Sequence, residues 1–545
     1  MKKRSMLNYM EDETNSYDYD TIIIGAGMGG LAAGNILIKN GYKVLMIEKH
    51  SKPGGYCTNF KRKDYIFDCS LHMLNGCEKG GMIYKVLQKF GAEESFEFIK
   101  LKELFRWKCS QQDINLLIAP KIDDFIEQLI ELFPDDTKDI KKFYKKYLKV
   151  YKFMITFVNK RIFGKILTFI RYFISFIRFM KTLKKTVSDI LDPYIKNSIC
   201  KNAITMLGGF FGLGPDEMSA TIFIAGTFSY FLEGAYYPKG GSGSFSKFLA
   251  DIYTKNGGDL KLSTEALRID FSGNLCSGVT VSDKSGKNYS YTGKTIIANN
   301  DVTDLVTRIC PDATFPQKYY EEILNRSPGI SAVCVYVGLN LDLNARGFKD
   351  YELWVSKGIE DQTTEELRKI AQTLNFSEFS STNISIYSNI DPSCCPEGKT
   401  VLSSIFYAFS DPFSKAIEKD GGNRGDNYKK LKSNIEAEYI KNLETILKIN
   451  HLSKFIEVLE IATPITLNRY TSNRNGSFIG WEVTPDQMML NQLPQKTPIP
   501  NLFLAGAWTM PAGGVGSVLS SGDTCSILVD KYIRRYNKKF KKKKN

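Results

Sequence analysis

A run of glycines near the N-terminus, followed by an acidic residue, carries the clearest chemistry in the sequence. The glycines stand at Gly25, Gly27, Gly29 and Gly30, and the acidic residue is Glu48. A glycine turn that opens a helix offers backbone N–H groups and the positive end of the helix dipole to a phosphate. A carboxylate about 20 residues further on accepts hydrogen bonds from a ribose diol. This combination predicts a dinucleotide-binding site.

The elements that must hold these residues are visible in the same stretch. A β-branched run, Thr21–Ile24, stops at the first glycine, a helical pattern follows, and a second apolar run, Val44–Ile47, ends at the acid. One glycine makes the tight turn, one lets the backbone approach a pyrophosphate, and one lets the helix pack closely on the sheet. The agreement of strand, helix, strand and acid favours a Rossmann unit over a glycine-rich turn of another α/β protein.

A second pair of glycines narrows the choice of cofactor. Glu48 is followed by Lys49 and, a few residues later, by the turn Pro53-Gly54-Gly55. NAD-dependent dehydrogenases generally lack this pair. It resembles the two-dinucleotide-binding-domain flavoproteins, in which the pair lies along FAD. We therefore expect FAD, with Lys49, Gly54 and Gly55 among its binding residues.

The C-terminal end carries another turn of this kind. An apolar run, Leu502–Leu504, leads into a glycine turn at Gly506–Gly516, and a helical pattern follows over Val518–Arg534. The start of that helix is suited to face a phosphate or the flavin ring. Between the two ends of the chain, the polar turn Asn299–Asp301 follows a strand and looks like a return to the cofactor.

The order of elements predicts an α/β protein, with a Rossmann-like FAD-binding domain of the two-dinucleotide-binding type and a mixed α+β substrate domain. The FAD-binding domain is expected in three segments, so that both ends of the chain reach the cofactor. Its segments are 1–95, 236–315 and 481–535. The substrate and membrane-facing segments are 96–235 and 316–480, and a basic tail covers 536–545.

The basic residues are concentrated in two places. The net charge is +14, and the C-terminal lysines and the segment Lys138–Lys185, in which Asp139 is the only acid, hold the excess. Such segments suit an anionic membrane surface or nucleic acid. The aromatic run Tyr151–Met180, interrupted by basic residues, is typical of an interfacial membrane helix, and a helical cap with solvated lysines is the alternative. We expect peripheral membrane contact through 151–185 and no nucleic acid.

The remaining composition indicates a reducing compartment. The eleven cysteines show no zinc spacing and no C-x-x-C pair, which predicts free thiols and no metal site. Met1–Glu13 lacks the apolar core of a secretory signal, and no window reaches the roughly 18 apolar residues of a spanning helix. The expectation is a cytoplasmic protein that associates peripherally with a membrane. The sequence leaves its oligomeric state open.

Six motifs, spread over most of the chain, belong together. They are I-I-G-A-G-M-G-G-L-A-A-G, E-K-H-S-K-P-G-G-Y, Y-Y-P-K-G-G-S at 236–242, A-N-N-D at 298–301, T-P-I-T-L-N-R-Y at 463–470 and L-F-L-A-G-A-W-T-M-P-A-G-G-V-G at 502–516. In this order and spacing they resemble the phytoene desaturase, carotenoid isomerase and retinol saturase family of FAD-dependent oxidoreductases.

The resemblance implies a lipophilic polyene or isoprenoid substrate, lodged in an apolar tunnel beside FAD. It also implies roles for individual residues of the cofactor site. The pyrophosphate would bind to Gly25, Gly27 and Gly30, the adenosine ribose to Glu48, the adenine to the backbone of Ala266, and the flavin end to Gly506, Ala507 and Val515.

The reaction is left open among several possibilities. Desaturation and saturation differ in the direction of hydride transfer, and a cis–trans isomerase would use reduced FAD without net redox. An amine-oxidase-like flavoenzyme and a non-catalytic prenyl-lipid carrier of the same fold are further alternatives. The turn at 502–516 is closer to saturase-like members than to phytoene desaturases, and Tyr56 stands where relatives often have a basic residue.

His72 is the titratable residue best placed for acid–base chemistry, because it follows the predicted strand Tyr65–Asp68 behind the second glycine pair. A histidine there is able to transfer a proton near the flavin. The alternative is a histidine that is hydrogen-bonded within the FAD-binding fold. Asp68 is expected to fix the loop rather than to act as a base.

Overall fold

The structure, a computed structural model, describes residues 17–158, 172–310, 315–357 and 362–544. Two seven-stranded sheets dominate this part of the chain. Two predictions concern residues outside these ranges. The segment Met1–Glu13 lies outside the described residues. So do four basic residues of the predicted membrane helix, Lys160, Arg161, Lys165 and Arg171.

Strands occur throughout the described residues except between positions 118 and 234, where those residues are helical or irregular. The strands are β1 (Tyr19–Ile24), β2 (Val44–Ile47), β3 (Asn59–Arg62), β4 (Tyr65–Asp68), β5 (Leu74–Asn75), β6 (Phe98–Lys100), β7 (Arg106–Cys109), β8 (Ile114–Leu117), β9 (Ala235–Pro238), β10 (Asp259–Lys261), β11 (Thr264–Ser272), β12 (Leu275–Asp283), β13 (Asn288–Ala298), β14 (Ser331–Leu339), β15 (Glu352–Ser356), β16 (Ser381–Ile386), β17 (Thr400–Ala408), β18 (Ile456–Ala462) and β19 (Leu502–Leu504).

The helices connect these strands. They are α1 (Met28–Lys39), α2 (Met82–Gln88), α3 (Ile122–Leu132), α4 (Thr137–Val158), α5 (Phe173–Thr182), α6 (Val187–Leu191), α7 (Ser198–Thr205), α8 (Ala220–Leu232), α9 (Ser242–Lys255), α10 (Val302–Asp304), α11 (Gln317–Leu324), α12 (Thr364–Thr373), α13 (Asp411–Lys419), α14 (Asp426–Leu447), α15 (Pro464–Thr471) and α16 (Val515–Lys544). No helix formed by the described residues is long and apolar enough to cross a membrane.

The first sheet is a parallel Rossmann unit extended by a β-meander. Strand β1 is parallel to β2 on one side and to β13 on the other, and the last residues of the three strands are in register. β10 and β19 extend the parallel part, while β11, β12 and the first half of β13 form the antiparallel meander. The carboxyl ends of β1, β2, β13 and β19 therefore share one edge, where ligands bind in open α/β sheets.

The second sheet joins two distant parts of the chain. Its order is β18-β14-β17-β16-β15-β7-β8. Strand β7 pairs in parallel with β15, with Trp107 opposite Trp354. Residues near position 110 thus lie beside residues near position 350, which no local pattern in the sequence predicts.

Helix α1 is apolar along its length because it is covered on several sides. Its residues Met28–Leu37 are all buried, and it packs against α16, α9 and β2. The approach to α16 is very close: a Cβ atom added to Gly522 would lie 2.1 Å from the carbonyl oxygen of Gly29. The N-terminal and C-terminal segments are therefore joined at the first turn of α1.

Helix α16 is longer than the sequence pattern predicts. The pattern predicts a helix over Val518–Arg534 and a basic tail at 536–545, whereas the helix extends from Val515 to Lys544. The residues of the basic tail, as far as Lys544, therefore continue this helix. Other predicted elements match closely, and the strands Val44–Ile47 and Tyr65–Asp68 have the predicted bounds.

Candidate cofactor and substrate site

The glycine turn after β1 is held by close backbone contacts. Gly25 has a φ of +97°, and its N–H donates to the carbonyl of Ile47 at 2.8 Å. A Cβ atom added to Gly30 would lie 2.3 Å from the carbonyl oxygen of Gly25, so no larger residue fits there. Asn299, at the end of β13, donates its amide to that same carbonyl at 3.0 Å. The turn is therefore fixed from two strands.

Glu48 follows β2 and is buried, with 8% of its surface exposed. Its Oε2 atom accepts a hydrogen bond from the N–H of Ala26, and its Oε1 atom accepts one from the N–H of His50, each at 2.8 Å. Burial raises the pKa of this carboxyl, and the two hydrogen bonds and Lys49 oppose that shift. Each oxygen keeps a lone pair for a ribose hydroxyl.

The second glycine pair lies directly against the first turn. The N–H of Gly54 donates to the carbonyl of Ala26 at 2.8 Å, and Gly54 forms a β-bridge with Gly27. Gly54 has a φ of +116°, and an added Cβ atom would lie 2.2 Å from the carbonyl oxygen of Cys57. Gly55 also has a positive φ. Glycine is therefore required where this loop crosses the nucleotide-binding turn.

The C-terminal turn completes the same surface. Gly506 has a φ of +92°, and an added Cβ atom would lie 2.6 Å from Oδ1 of Asn299. A Cβ atom added to Gly29 would lie 2.8 Å from the backbone nitrogen of Gly506. Ala507 and Val515 line the same cavity as the first glycine turn. Asn299 thus lies between both turns, although the sequence marked it only as part of a polar turn.

Lys49 and Ala266, two further predicted cofactor residues, also have hydrogen-bond partners within the protein. Lys49 lines the cavity, but its Nζ atom donates to Oγ of Ser472 at 2.7 Å. The carbonyl of Ala266 accepts a hydrogen bond from Nη1 of Arg308 at 3.3 Å. Arg308 is in turn held by two bonds to Asp304, at 2.6 and 2.9 Å. Both Arg308 and Asp304 line the cavity, and their i, i+4 spacing was their only signal in the sequence.

A single large cavity adjoins all the predicted site residues except Gly30, whose contacts are those of a packing residue. Its volume is about 1520 Å³, which exceeds the roughly 300–1,000 Å³ of a pocket for one drug-sized ligand. It therefore has room for a dinucleotide and a second molecule.

The polar end of this cavity fits FAD. Glycine backbone lies open to a close ligand along the first turn, and a buried carboxylate stands where a ribose would bind. Oδ1 of Asn299 is buried and accepts no hydrogen bond from the described residues, so it is available to a donor on a ligand. These features are those that the pyrophosphate and ribose of a dinucleotide require.

Away from the glycine turns, the cavity wall is aromatic and aliphatic. Its side chains include Phe210, Phe211, Ile222, Phe223, Trp354, Phe379, Ile405 and Tyr407. These side chains give this part of the cavity, the apolar chamber, a largely apolar surface, which suits an apolar ligand.

His72 lies in the wall of this apolar chamber. Its ring centroid is 4.9 Å from that of Phe210, and its Nδ1 atom is 3.1 Å from Oε1 of Glu352 and 2.9 Å from Oγ of Ser385. Glu352 and Ser385 were not predicted from the sequence, because they lie on β15 and β16, some 280 and 313 positions away.

Asp68 has a different environment from His72. It is buried and accepts hydrogen bonds from the backbone N–H groups of Ser70, Leu71 and Ser242 and from the hydroxyl of Tyr237. Burial raises the pKa of this carboxyl. These contacts tie the segment after β4 to the first turn of α9, which is the loop-fixing role expected of this residue.

The fold and the cofactor site together define an FAD-dependent flavoprotein. The chain belongs to the flavin-containing amine oxidoreductase family, whose model matches residues 28–527. It is therefore an FAD-dependent oxidoreductase, and the predicted cofactor and enzyme class are confirmed.

Curated relatives confirm the resemblance drawn from the motifs. All-trans-retinol 13,14-reductase of Danio rerio is 23% identical over 94% of this chain and 86% of its own length. Prolycopene isomerase of Arabidopsis thaliana is 24% identical over 94% of this chain and 82% of its own length.

Solved structures share the fold. An oxidoreductase from Methanosarcina mazei has a TM-score of 0.59 at 16% identity, covering 92% of this chain and 99% of its own. Cyclohexylamine oxidase from Brevibacterium oxydans has a TM-score of 0.58 at 14% identity, covering 95% of this chain and all of its own. The predicted fold class is therefore confirmed.

Proposed function

We propose that this oxidoreductase transfers a hydride at a carbon–carbon bond of a lipophilic polyene or isoprenoid, of the carotenoid or retinoid kind. The observation that carries the proposal is the continuous cavity, which runs from the glycine turns into a chamber walled by aromatic and aliphatic side chains. Relatives named as a retinol reductase and as prolycopene isomerases support the same substrate class.

Desaturation and saturation are the two directions of the proposed hydride transfer. Cis–trans isomerisation without net redox is the alternative reaction. The names of two relatives match a reductase and an isomerase. Amine oxidation is a further alternative, because cyclohexylamine oxidase has the same fold. A mainly apolar chamber favours a hydrocarbon chain over a small charged amine, because burying an unpaired ammonium is costly.

The residues of the site divide the work between binding and chemistry. FAD, when bound, supplies hydride transfer. The turns at Gly25–Gly30 and Gly506–Gly516 hold the cofactor from both ends of the chain, and Glu48 fixes its ribose. The aromatic chamber excludes water and aligns the polyene, and His72 accepts or donates the proton that accompanies the hydride.

The proposal is tested by anaerobic mixing of the protein with a panel of carotenes, retinoids and long-chain unsaturated lipids. Oxidised enzyme and a desaturation substrate should bleach the flavin absorbance, and reduced enzyme should be reoxidised by a saturation substrate. A geometric isomer formed without net flavin oxidation would instead establish the isomerase. Flavin reduction by amines, with no response to any polyene, would overturn the proposal.

We also propose that the protein contacts a membrane peripherally through 151–185, on its cytoplasmic side. Helix α5 exposes Ile174, Ile177 and Met180 on one face, the first with 66% of its surface exposed. Exposed lysines follow at Lys181 and at positions 184 and 185. An apolar face bordered by basic side chains suits an anionic membrane surface.

The position of this face relative to the cavity supports the same proposal. Helix α5 packs against α4 through Phe153, whose ring centroid is 5.9 Å from that of Phe176. Tyr151, Met154 and Ile155 of α4 line the cavity. A lipophilic substrate that entered here would pass from the bilayer to the chamber without crossing open water.

Sedimentation with anionic vesicles tests the membrane contact. Each lysine near anionic lipid contributes roughly 1 kcal/mol, so replacing Lys181, Lys184 and Lys185 with Gln should weaken binding by about 10²-fold. The matched control replaces three exposed lysines elsewhere, at positions 284, 415 and 430, and makes the same change in net charge. Equal loss of binding in both variants would show that net charge, and not this face, is responsible.

A further inference from the structure

Glu352 contacts His72 from outside the set of residues that line the cavity, and its surroundings are unusual for a carboxylate. Its side chain is fully buried, and three donors converge on it. Trp354 donates its indole N–H to Oε1 at 3.1 Å, and Ser385 donates its hydroxyl to Oε2 at 2.6 Å. His72 places Nδ1 3.1 Å from Oε1. A buried charge is costly unless partners of this kind compensate it.

The hydrogen-bond directions around His72 follow from the donors and acceptors present. Ser385 uses its only hydrogen on Glu352, so its oxygen is free to accept from Nδ1 of His72 at 2.9 Å. The Glu352 carboxylate also accepts only. Both neighbours of Nδ1 are therefore acceptors, and Nδ1 carries the hydrogen.

This arrangement leaves the other ring nitrogen for a ligand. Nε2 of His72 forms no hydrogen bond with the described residues, and the side chain lines the cavity. With the hydrogen fixed on Nδ1, the neutral ring presents a lone pair at Nε2. The ring of Phe210 packs on the imidazole ring of His72 and limits its rotation.

We propose that Glu352, assisted by Ser385, is a positioning residue that holds His72 in the Nδ1–H tautomer, so that Nε2 exchanges a proton with a substrate carbon. The inference rests on the proposed polyene reaction. In desaturation, the substrate loses a hydride to oxidised FAD and a proton from the adjacent carbon to Nε2, and the electron pair of that second C–H bond becomes the new C=C bond. Saturation reverses each of these transfers.

The first test is independent of the substrate. The chain has three histidines, so ¹⁵N-histidine labelling of the FAD-loaded protein gives three rings, and His72→Gln identifies the signal of His72. We expect the neutral His72 ring to show a protonated Nδ1 and a bare Nε2. In Glu352→Gln the indole N–H of Trp354 keeps the amide oxygen at the Oε1 position, so the amide NH2 donates to Ser385. The hydroxyl of Ser385 is then free to donate to Nδ1, and the ring hydrogen should move in part or wholly to Nε2. Protonated Nε2 in the native protein, or an unchanged tautomer in Glu352→Gln, would overturn the inference.

The second test measures turnover of whichever polyene the wild-type protein converts. His72→Gln should lower kcat by about 10²-fold or more, the usual contribution of a general acid or base. Glu352→Gln and Ser385→Ala should lower kcat with little change in KM or FAD content. The matched controls are Asp391→Asn, another buried carboxylate, and Ser403→Ala, a buried serine on the neighbouring strand.

The two arms separate the inference from the function on which it rests. A wild-type protein that converts no polyene, but shows the expected tautomer, would overturn the proposed function and leave the positioning role of Glu352. Normal kcat in Glu352→Gln on a substrate that the wild type converts would overturn the inference and leave the function.

Discussion

At the scale of single residues, Glu48 makes the binding of FAD depend on pH. Its carboxylate is buried and accepts two backbone hydrogen bonds, and burial raises its pKa above the ordinary value of about 4.3. As pH falls through that raised pKa, the carboxyl gains a proton and loses an acceptor for the ribose. FAD release on acidification, followed by flavin fluorescence, should therefore begin at a higher pH than an ordinary Glu would allow.

The variant Glu48→Gln removes the charge at neutral pH. Hydrogen bonds to a charged group contribute about 1.5–3 kcal/mol each, so FAD should bind roughly 10- to 100-fold more weakly. Equilibrium dialysis measures the change, and the exposed residue Glu103 provides the control Glu103→Gln. Unchanged affinity in Glu48→Gln would exclude this residue from the ribose site.

The residues that the sequence predicted are those whose role is set by near neighbours. Gly25 and Gly30 contact one another within a single turn, so their types and spacing suffice. Asn299 reaches Gly25 across 274 positions, and Glu352 reaches His72 across 280. Their roles depend on strand pairing, which is why the sequence showed His72 without its partners.

At the scale of elements, the contact between α1 and α16 joins the two ends of the chain, and a single substitution tests it. Gly522→Ala places a methyl group 2.1 Å from the carbonyl oxygen of Gly29, so the helices must separate. We expect destabilisation of about 1–3 kcal/mol from overpacking, measured by chemical unfolding, and loss of FAD. Lys531→Ala is the control in the same helix, since its side chain is exposed and does not line the cavity. Equal stability of both variants would contradict the close packing.

Elements formed by short apolar runs were the predictable ones. The fully buried run Val44–Ile47 and the strand Tyr65–Asp68 have the expected bounds. Helix α16 is longer than predicted because lysine favours helix nearly as well as other good helix formers. The helix therefore continues beyond the end of its apolar stripe. A run of lysines at its end was therefore not a helix stop signal.

At the scale of the whole molecule, the order of motifs predicted the fold class but not the pairing of the second sheet. Strands β7 and β8, near position 110, complete a sheet whose other members lie beyond position 330. Their side chains are partly polar, and nothing local selects β15 as the partner of β7. The apolar chamber is lined by residues from distant parts of the chain, among them Phe210, Trp354 and Tyr407, so the substrate end of the cavity was the part that the sequence described least.

The cavity also predicts how the molecule responds to loss of its cofactor. The two turns that line its polar end, at Gly25–Gly30 and Gly506–Gly516, belong to opposite ends of the chain and touch one another through Gly29 and Gly506. Removing FAD should therefore increase hydrogen exchange in both turns together, because a bound ligand stabilises only the state that binds it. Helix α14, which does not line the cavity, should exchange at an unchanged rate. Mass spectrometry of FAD-loaded and FAD-depleted protein measures all three segments, and a change confined to the N-terminal turn would show that the C-terminal turn does not hold the cofactor.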